Sequence, residues 1–121
     1  MSDAKEDRPW IFFPSWLEVS HAEQWTIQLI KNINWQQPIV QVYGSSYVVP
    51  RLTAFLAEKN ICYSYSGHIH YGYGWPDWFL PLVEIVNFAS GVKYNGCLLN
   101  LYRDGNDRMG WHADNEPELD L

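Results

Sequence analysis

The sequence predicts an α+β fold, a partial jelly roll (double-stranded β-helix) with two packing helices. Two stretches repeat apolar residues at helical spacing, one after Ser20 and one after Pro76. Around them lie short runs of β-branched and aromatic residues bounded by Gly, Asn, Asp or Pro, the punctuation of short strands. A chain of 121 residues has room for one domain with one core.

Residues 1–9 are largely polar and read as a flexible leader, followed by an extended entry at Trp10-Ile11-Phe12-Phe13-Pro14. Ser20 and Glu23 stand at capping-box spacing, so the first helix is expected to begin near Ser20. Ala22, Trp25, Ile27, Leu29, Ile30 and Ile33 supply a face to pack on the domain body, and Pro38 forbids continuation. Ile39 to Tyr43 and Tyr47 to Val49 flank Gly44-Ser45-Ser46 as a hairpin, with Tyr43 near its tip. Leu52 to Leu56 and Cys62 to Tyr65 read as strands about a Glu58-Lys59-Asn60 turn, and His68 to Trp75 as a loop or irregular edge. Pro76-Asp77 opens the second helix, which carries Leu82, Val83, Ile85, Val86 and Phe88 and ends at Gly91 in the C′ position. In the strand Cys97 to Tyr102, alternation puts Cys97, Leu99 and Leu101 on one face and Asn100 and Tyr102 on the other. Arg103 to Asp107 is a turn, and Met109 to Asp114 a second strand or extended segment.

With 47% hydrophobic and 18% charged residues the composition is that of a globular chain rather than a disordered one. No apolar run is long enough to span a bilayer and Met1 to Arg8 lacks the features of a secretory signal, so a cytoplasmic, membrane-free protein is expected. Cys62 and Cys97 fit buried thiols better than a disulfide or a zinc knuckle. The net charge of −6 and the lack of a basic stripe count against non-specific binding to a polyanion, although Asp3, Glu6, Asp7, Glu116, Glu118 and Asp120 crowd the two ends. The aromatic share of 17% exceeds what a core of this size needs, so some rings should face a ligand. Trp16, Trp25 and Trp35 are expected to fill the core.

His112 and Asp114, one residue apart, point the same way on an extended backbone and can meet one metal ion. Two histidines and a carboxylate form the facial set of non-haem iron. By itself the pair is a weak signal, and a surface histidine beside a loop carboxylate explains it as well. His68 and His70 also share a strand face but have no third ligand at a useful spacing, and His21 reads as solvated.

The pair does not stand alone. The run from Leu98 to Leu119, with its Asn100-Leu101-Tyr102 and His112-Ala113-Asp114, resembles the AlkB-like iron(II)- and 2-oxoglutarate-dependent dioxygenases that dealkylate nucleic acids. So do Val49-Pro50-Arg51-Leu52-Thr53-Ala54 and Tyr63-Ser64-Tyr65-Ser66-Gly67, in the family's order. The resemblance implies Fe(II) as the metal, 2-oxoglutarate and O2 as co-substrates, and an alkylated base of DNA or RNA as substrate, demethylated in DNA repair with release of formaldehyde. It implies that His112 and Asp114 are two of three iron ligands and that Asn100 and Tyr102 contact 2-oxoglutarate. It places Tyr65 on the flipped base, Tyr63 and Ser66 in polar contact there, Arg51 near the nucleotide, Glu116 on the exocyclic group, and Tyr43 as a wedge into the duplex. Each has a plainer reading, Tyr63 and Tyr65 as strand aromatics, Arg51 as a loop cap and Tyr43 as a turn residue.

The family also has a second histidine ligand and two arginines well beyond its His-x-Asp, so a chain ending at Leu121 is expected to be the N-terminal part of the domain, truncated and inactive alone. Asn115 stands where close relatives often carry a second aspartate. Two rivals remain: a non-catalytic module that binds single-stranded nucleic acid on its aromatics, and a partial reading frame without activity.

Overall fold

The computed structural model describes residues 9–65, 67–112 and 114, and the chain divides into two units, Met1–Ile33 and Asn34–Leu121. The first unit is built on helix α1, Val19–Asn32. Its start departs from the expected capping box: Glu18 is the N-cap, no side chain caps the first turn, and Ser20 lies inside the helix. The backbone carbonyl of Glu18 accepts from Ala22 N–H at 2.9 Å, so helix propagation does not wait for the serine. Lys31 in the last turn suits the negative end of the helix dipole, and Ile33 turns to extended geometry five residues before Pro38. Trp16 is 48% exposed, against the expectation of a core residue.

Among the described residues the second unit holds three antiparallel pairs and one helix. Strands β1 (Ile39–Val42) and β2 (Ser45–Val48) pair with Val42 opposite Ser45, so the turn is only Tyr43 and Gly44, earlier than the expected Gly44-Ser45-Ser46. Both turn residues have positive φ, 50° and 79°, as a two-residue hairpin of the twist-matched kind requires. Glycine takes this conformation freely, whereas a tyrosine there is uncommon.

Strand β3 (Leu52–Ala57) pairs with β6 (Gly96–Leu101), Thr53 opposite Asn100 and Phe55 opposite Leu98. On the other edge of β3, Gln36 exchanges both backbone hydrogen bonds with Thr53, at 2.9 and 2.8 Å. That closes part of an edge that would otherwise be open to pairing. Asn60 closes the expected turn after β3 with φ 68°, a left-handed geometry that asparagine tolerates well. Strand β4 (Cys62–Tyr65) then pairs with β5 (His68–Tyr71), so residues expected to form a loop or irregular edge begin as a strand. Gly67, φ 78°, supplies the reversal that makes the pairing local.

Helix α2, Leu80–Ser90, starts later than the expected Pro76-Asp77. The carbonyl of Pro76 instead closes a turn onto Phe79 and Leu80, and Pro81 takes the first helical turn, where its missing N–H costs nothing. Gly91 ends the helix in the left-handed region, φ 70°, as expected. Buried Phe79 and Val83, with Trp75, Leu82 and Val86, line an apolar cavity of about 240 Å³ against Cys97 of β6. Burial pushes the Cys97 thiol up, consistent with an unreactive, partly buried cysteine, whereas Cys62, also expected to be buried, is exposed. Met109 to Asp114 forms no strand among its described residues.

Gly72 follows β5 where the chain crosses close to the end of β3. A Cβ there would fall on the backbone carbonyl of Glu58 and 2.8 Å from the Ala57 side chain, neither of which can swing aside. Gly72→Ala is therefore expected to cost about 1–3 kcal/mol through overpacking, read as a lowered melting temperature, while Gly105→Ala, which meets open space, serves as the control.

Candidate active site

Period-two alternation on β3 and β6 presents Phe55, Leu98 and Asn100 to one side of that pair, away from the α2 cavity. Here a cleft of about 710 Å³ opens, lined by Phe55, Tyr63, Tyr65, Asn100, His112 and Asp114 among others. Three ring contacts build one wall: Phe55 stacks on Tyr63 at 5.8 Å, Tyr63 on Tyr65 at 6.2 Å, and His70 lies tilted against Phe55 at 5.8 Å. These rings share a face because Tyr63 pairs with His70 and Tyr65 with His68 across the β4–β5 ladder.

Behind this wall the buried Arg51 guanidinium, in a residue 8% exposed, spreads its donors over three partners. Nε donates to Asn100 Oδ1 at 3.1 Å, Nη2 to the Tyr65 hydroxyl at 3.2 Å, and Nη1 weakly to the Arg108 carbonyl at 3.5 Å. The adjoining Pro50 carbonyl accepts from Arg108 N–H at 2.7 Å. The expected Arg103 to Asp107 turn is clamped by a two-pronged bond of Arg103 on Asp107, at 2.8 and 3.0 Å. Those hydrogen bonds hold the Asp107 carboxyl below the usual carboxylate range.

From this turn the chain runs to His112 and Asp114. His112 Nδ1 lies 2.9 Å from the Gly110 carbonyl, which can only accept, so Nδ1 carries the hydrogen. In the neutral ring Nε2 then holds a free lone pair and sits 3.5 Å from Asp114 Oδ1. Two lone-pair donors turned toward each other repel unless a proton or a cation lies between them. Their chemistry, one imidazole oriented by a backbone carbonyl and one carboxylate, fits a divalent metal. Among the described residues no group of three His, Cys, Asp or Glu side chains stands close enough to hold an ion.

The structure thus brings His112, Asp114, Asn100, Tyr63 and Tyr65 to one cleft, with Arg51 behind them. Tyr102 lies one residue beyond β6, half exposed and outside the lining, and Tyr43 stands fully exposed at the β1–β2 tip. Ser66, Glu116 and Asn115 lie outside the described residues. His68 does not join His70 at a metal: its Nε2 lies 3.1 Å from the Ile39 carbonyl. Phe55 and Met109 also line the cleft without having been singled out. Phe55 was recoverable, because it sits in phase with Arg51 and Thr53 along β3.

Comparison with known proteins assigns the class. The family model for the 2OG-Fe(II) oxygenase superfamily matches residues 10–121, so the chain belongs to that superfamily, whose members use Fe(II), 2-oxoglutarate and O2. Within it the chain is AlkB-like. It is 37% identical over 101 residues to DNA oxidative demethylase ALKBH2 of Arabidopsis thaliana, covering 78% of this chain and 32% of that protein. It is 31% identical over 110 residues to the alpha-ketoglutarate-dependent dioxygenase alkB homolog 3 of Homo sapiens, covering 88% and 37%, and 34% identical over 80 residues to human DNA oxidative demethylase ALKBH2, covering 66% and 31%. The chain spans about a third of the length of these curated relatives. No helix among the described residues is long and apolar enough to cross a membrane.

Burial, and then the neighbouring His68, hold His70 below its ordinary value. Its neutral form therefore favours the folded state, with the full contribution above the unfolded value of about 6.5. As pH falls below that, the unfolded chain takes up the proton first, and the contribution is gone once the folded value is passed. An NMR titration is expected to place the His70 midpoint below 6.5, and His70→Phe to flatten the acid-side fall in stability; a midpoint at or above 6.5 refutes the assignment.

Proposed function

We propose that the protein carrying this chain demethylates alkylated bases in nucleic acid by oxidation, in DNA repair, and that its antiparallel pairs are parts of one jelly roll. The observation that carries the reading is the approach of His112 Nε2 to Asp114 Oδ1, 3.5 Å apart, on the cleft that Asn100 and Tyr65 also line. Support comes from the names of the relatives, which describe DNA oxidative demethylases and alpha-ketoglutarate-dependent dioxygenases.

In this reading His112 and Asp114 hold the metal, and the Gly110 carbonyl keeps the imidazole in the ligating tautomer. Fe(II) with 2-oxoglutarate and O2 supplies the oxidation of an N-methyl group, whose hydroxymethyl product leaves as formaldehyde. Asn100 and Tyr102 orient 2-oxoglutarate. The base reaches the cleft from a single strand or by leaving the duplex stack, because its edge is inaccessible inside a helix. Tyr65 then stacks on it, Tyr63 and Ser66 offer polar contact, Arg51 supports the nucleotide side and Glu116 reads the exocyclic group. One base stacked on an aromatic ring gains about 1–3 kcal/mol, enough to offset much of the unstacking cost. Tyr43, presented on a turn that would more comfortably hold asparagine, wedges into the duplex.

The test is release of formaldehyde from oligonucleotides carrying N-methylated bases, by the full-length protein with Fe(II) and 2-oxoglutarate. Chelation and His112→Ala are each expected to abolish it, while oligonucleotide binding persists. If the unmodified protein binds the oligonucleotide yet releases no formaldehyde, the chain is a stacking module rather than part of an enzyme. Tyr43→Asn separates a second point: it should raise hairpin stability by about 0.5–1 kcal/mol, since asparagine is the easier residue at positive φ, and slow repair of duplex but not single-stranded substrate. Equal loss on both substrates would refute the wedge.

A further inference from the structure

We infer that Arg51 is a positioning residue that couples the co-substrate side of the cleft to its base side, holding Asn100 and Tyr65 with one guanidinium. The inference rests on the oxygenase reading. Arg51 is buried, so it does not act as a solvent-facing phosphate contact, and its planar fork cannot turn toward one partner without losing alignment with the other. Nε–H occupies the carbonyl oxygen of the Asn100 amide at 3.1 Å, which fixes the amide's orientation and leaves its N–H donors for an oxygen-rich ligand such as an oxo-acid. Nη2–H occupies a lone pair of the Tyr65 hydroxyl at 3.2 Å, which leaves the phenol proton free to donate elsewhere. A ring stacked on Tyr63 is thereby linked, through one rigid group, to the amide proposed to hold the co-substrate. Pro50, next in the chain, binds Arg108 N–H, so the segment leading to His112 is tied to the same point.

Loss of the Tyr65 hydroxyl should therefore be felt by a ligand that Tyr65 does not touch. The experiment measures 2-oxoglutarate affinity by calorimetry in the full-length protein with Mn(II) in place of Fe(II). Tyr65→Phe is expected to weaken binding by about three- to tenfold, Arg51→Lys by at least as much, and the double variant no further than Arg51→Lys alone. In the metal-free protein, Tyr65→Phe should also shift the side-chain amide resonances of Asn100. Unchanged affinity together with unmoved amide resonances in Tyr65→Phe, or fully additive effects in the double variant, would overturn the coupling. If Arg51→Lys does not fold, Tyr65→Phe decides alone, because a phenylalanine keeps the ring packing. A full-length protein that binds no 2-oxoglutarate at all overturns the oxygenase reading and the coupling with it, whereas normal binding with both affinity and Asn100 amide resonances insensitive to Tyr65→Phe overturns only the coupling.

Discussion

The register of β3 against β6 decides which side chains meet in the cleft. Thr53 faces Asn100 and Phe55 faces Leu98, so one side of the pair carries the polar and aromatic groups, while Cys97 on the other meets the apolar residues of α2. A slip of one residue would exchange the two sides. The Asn100 amide would then enter the cavity lined by Phe79, Leu82 and Val83, where an unpaired polar group costs about 1–3 kcal/mol. Leu99 would turn outward at the same time. The alternation of Cys97 to Leu101 thus fixes the site as well as the strand.

Position along the cleft is settled by a second set of constraints, which carry the register of β6 forward to His112 and Asp114. The bond of Arg103 on Asp107 closes the turn after β6, Asp104 Oδ1 accepts from Asn106 N–H at 2.8 Å, and Pro50 fixes Arg108. Few free torsions then remain before Gly110, whose carbonyl orients the His112 ring. Although the Arg103–Asp107 pair is exposed at the arginine end and contributes little to global stability, its value is local: it sets where the next segment begins.

What the sequence disclosed follows from the range of the forces involved. Alternation and turn chemistry act over a few residues, and so the five strands β1, β2, β3, β4 and β6, the Gly91 helix end and the Asn60 turn were legible. Tertiary context overrode local signals elsewhere. Ser20 and Glu23 match a capping box, yet helix α1 begins earlier on the Glu18 backbone; His68 to Trp75 reads as a loop or irregular edge, yet β4 recruits its first four residues as a partner. The candidate site residues came from the resemblance to the AlkB-like family, since the spacing of His112 and Asp114 alone is a weak signal, and that list held no hint of the Arg51 bonds to Asn100 and Tyr65. Those join positions 49 and 14 residues apart, beyond the reach of any local pattern.

The acidic balance of the chain, −6, constrains what kind of nucleic-acid contact the proposed function can use. Strong non-specific binding draws on many Lys and Arg side chains at phosphates, and of the eight here Arg51 is enclosed and Arg103 is committed to Asp107. Under the proposed function, phosphate contact from this region would accordingly be sparse. Stacking draws on no net charge, and the Phe55, Tyr63 and Tyr65 wall already holds its rings in near-parallel planes at fixed spacing. Under the proposed function those rings would be ordered before a base arrived, so little conformational entropy would be lost on stacking and recognition would rest on the base itself rather than on the strand that carries it.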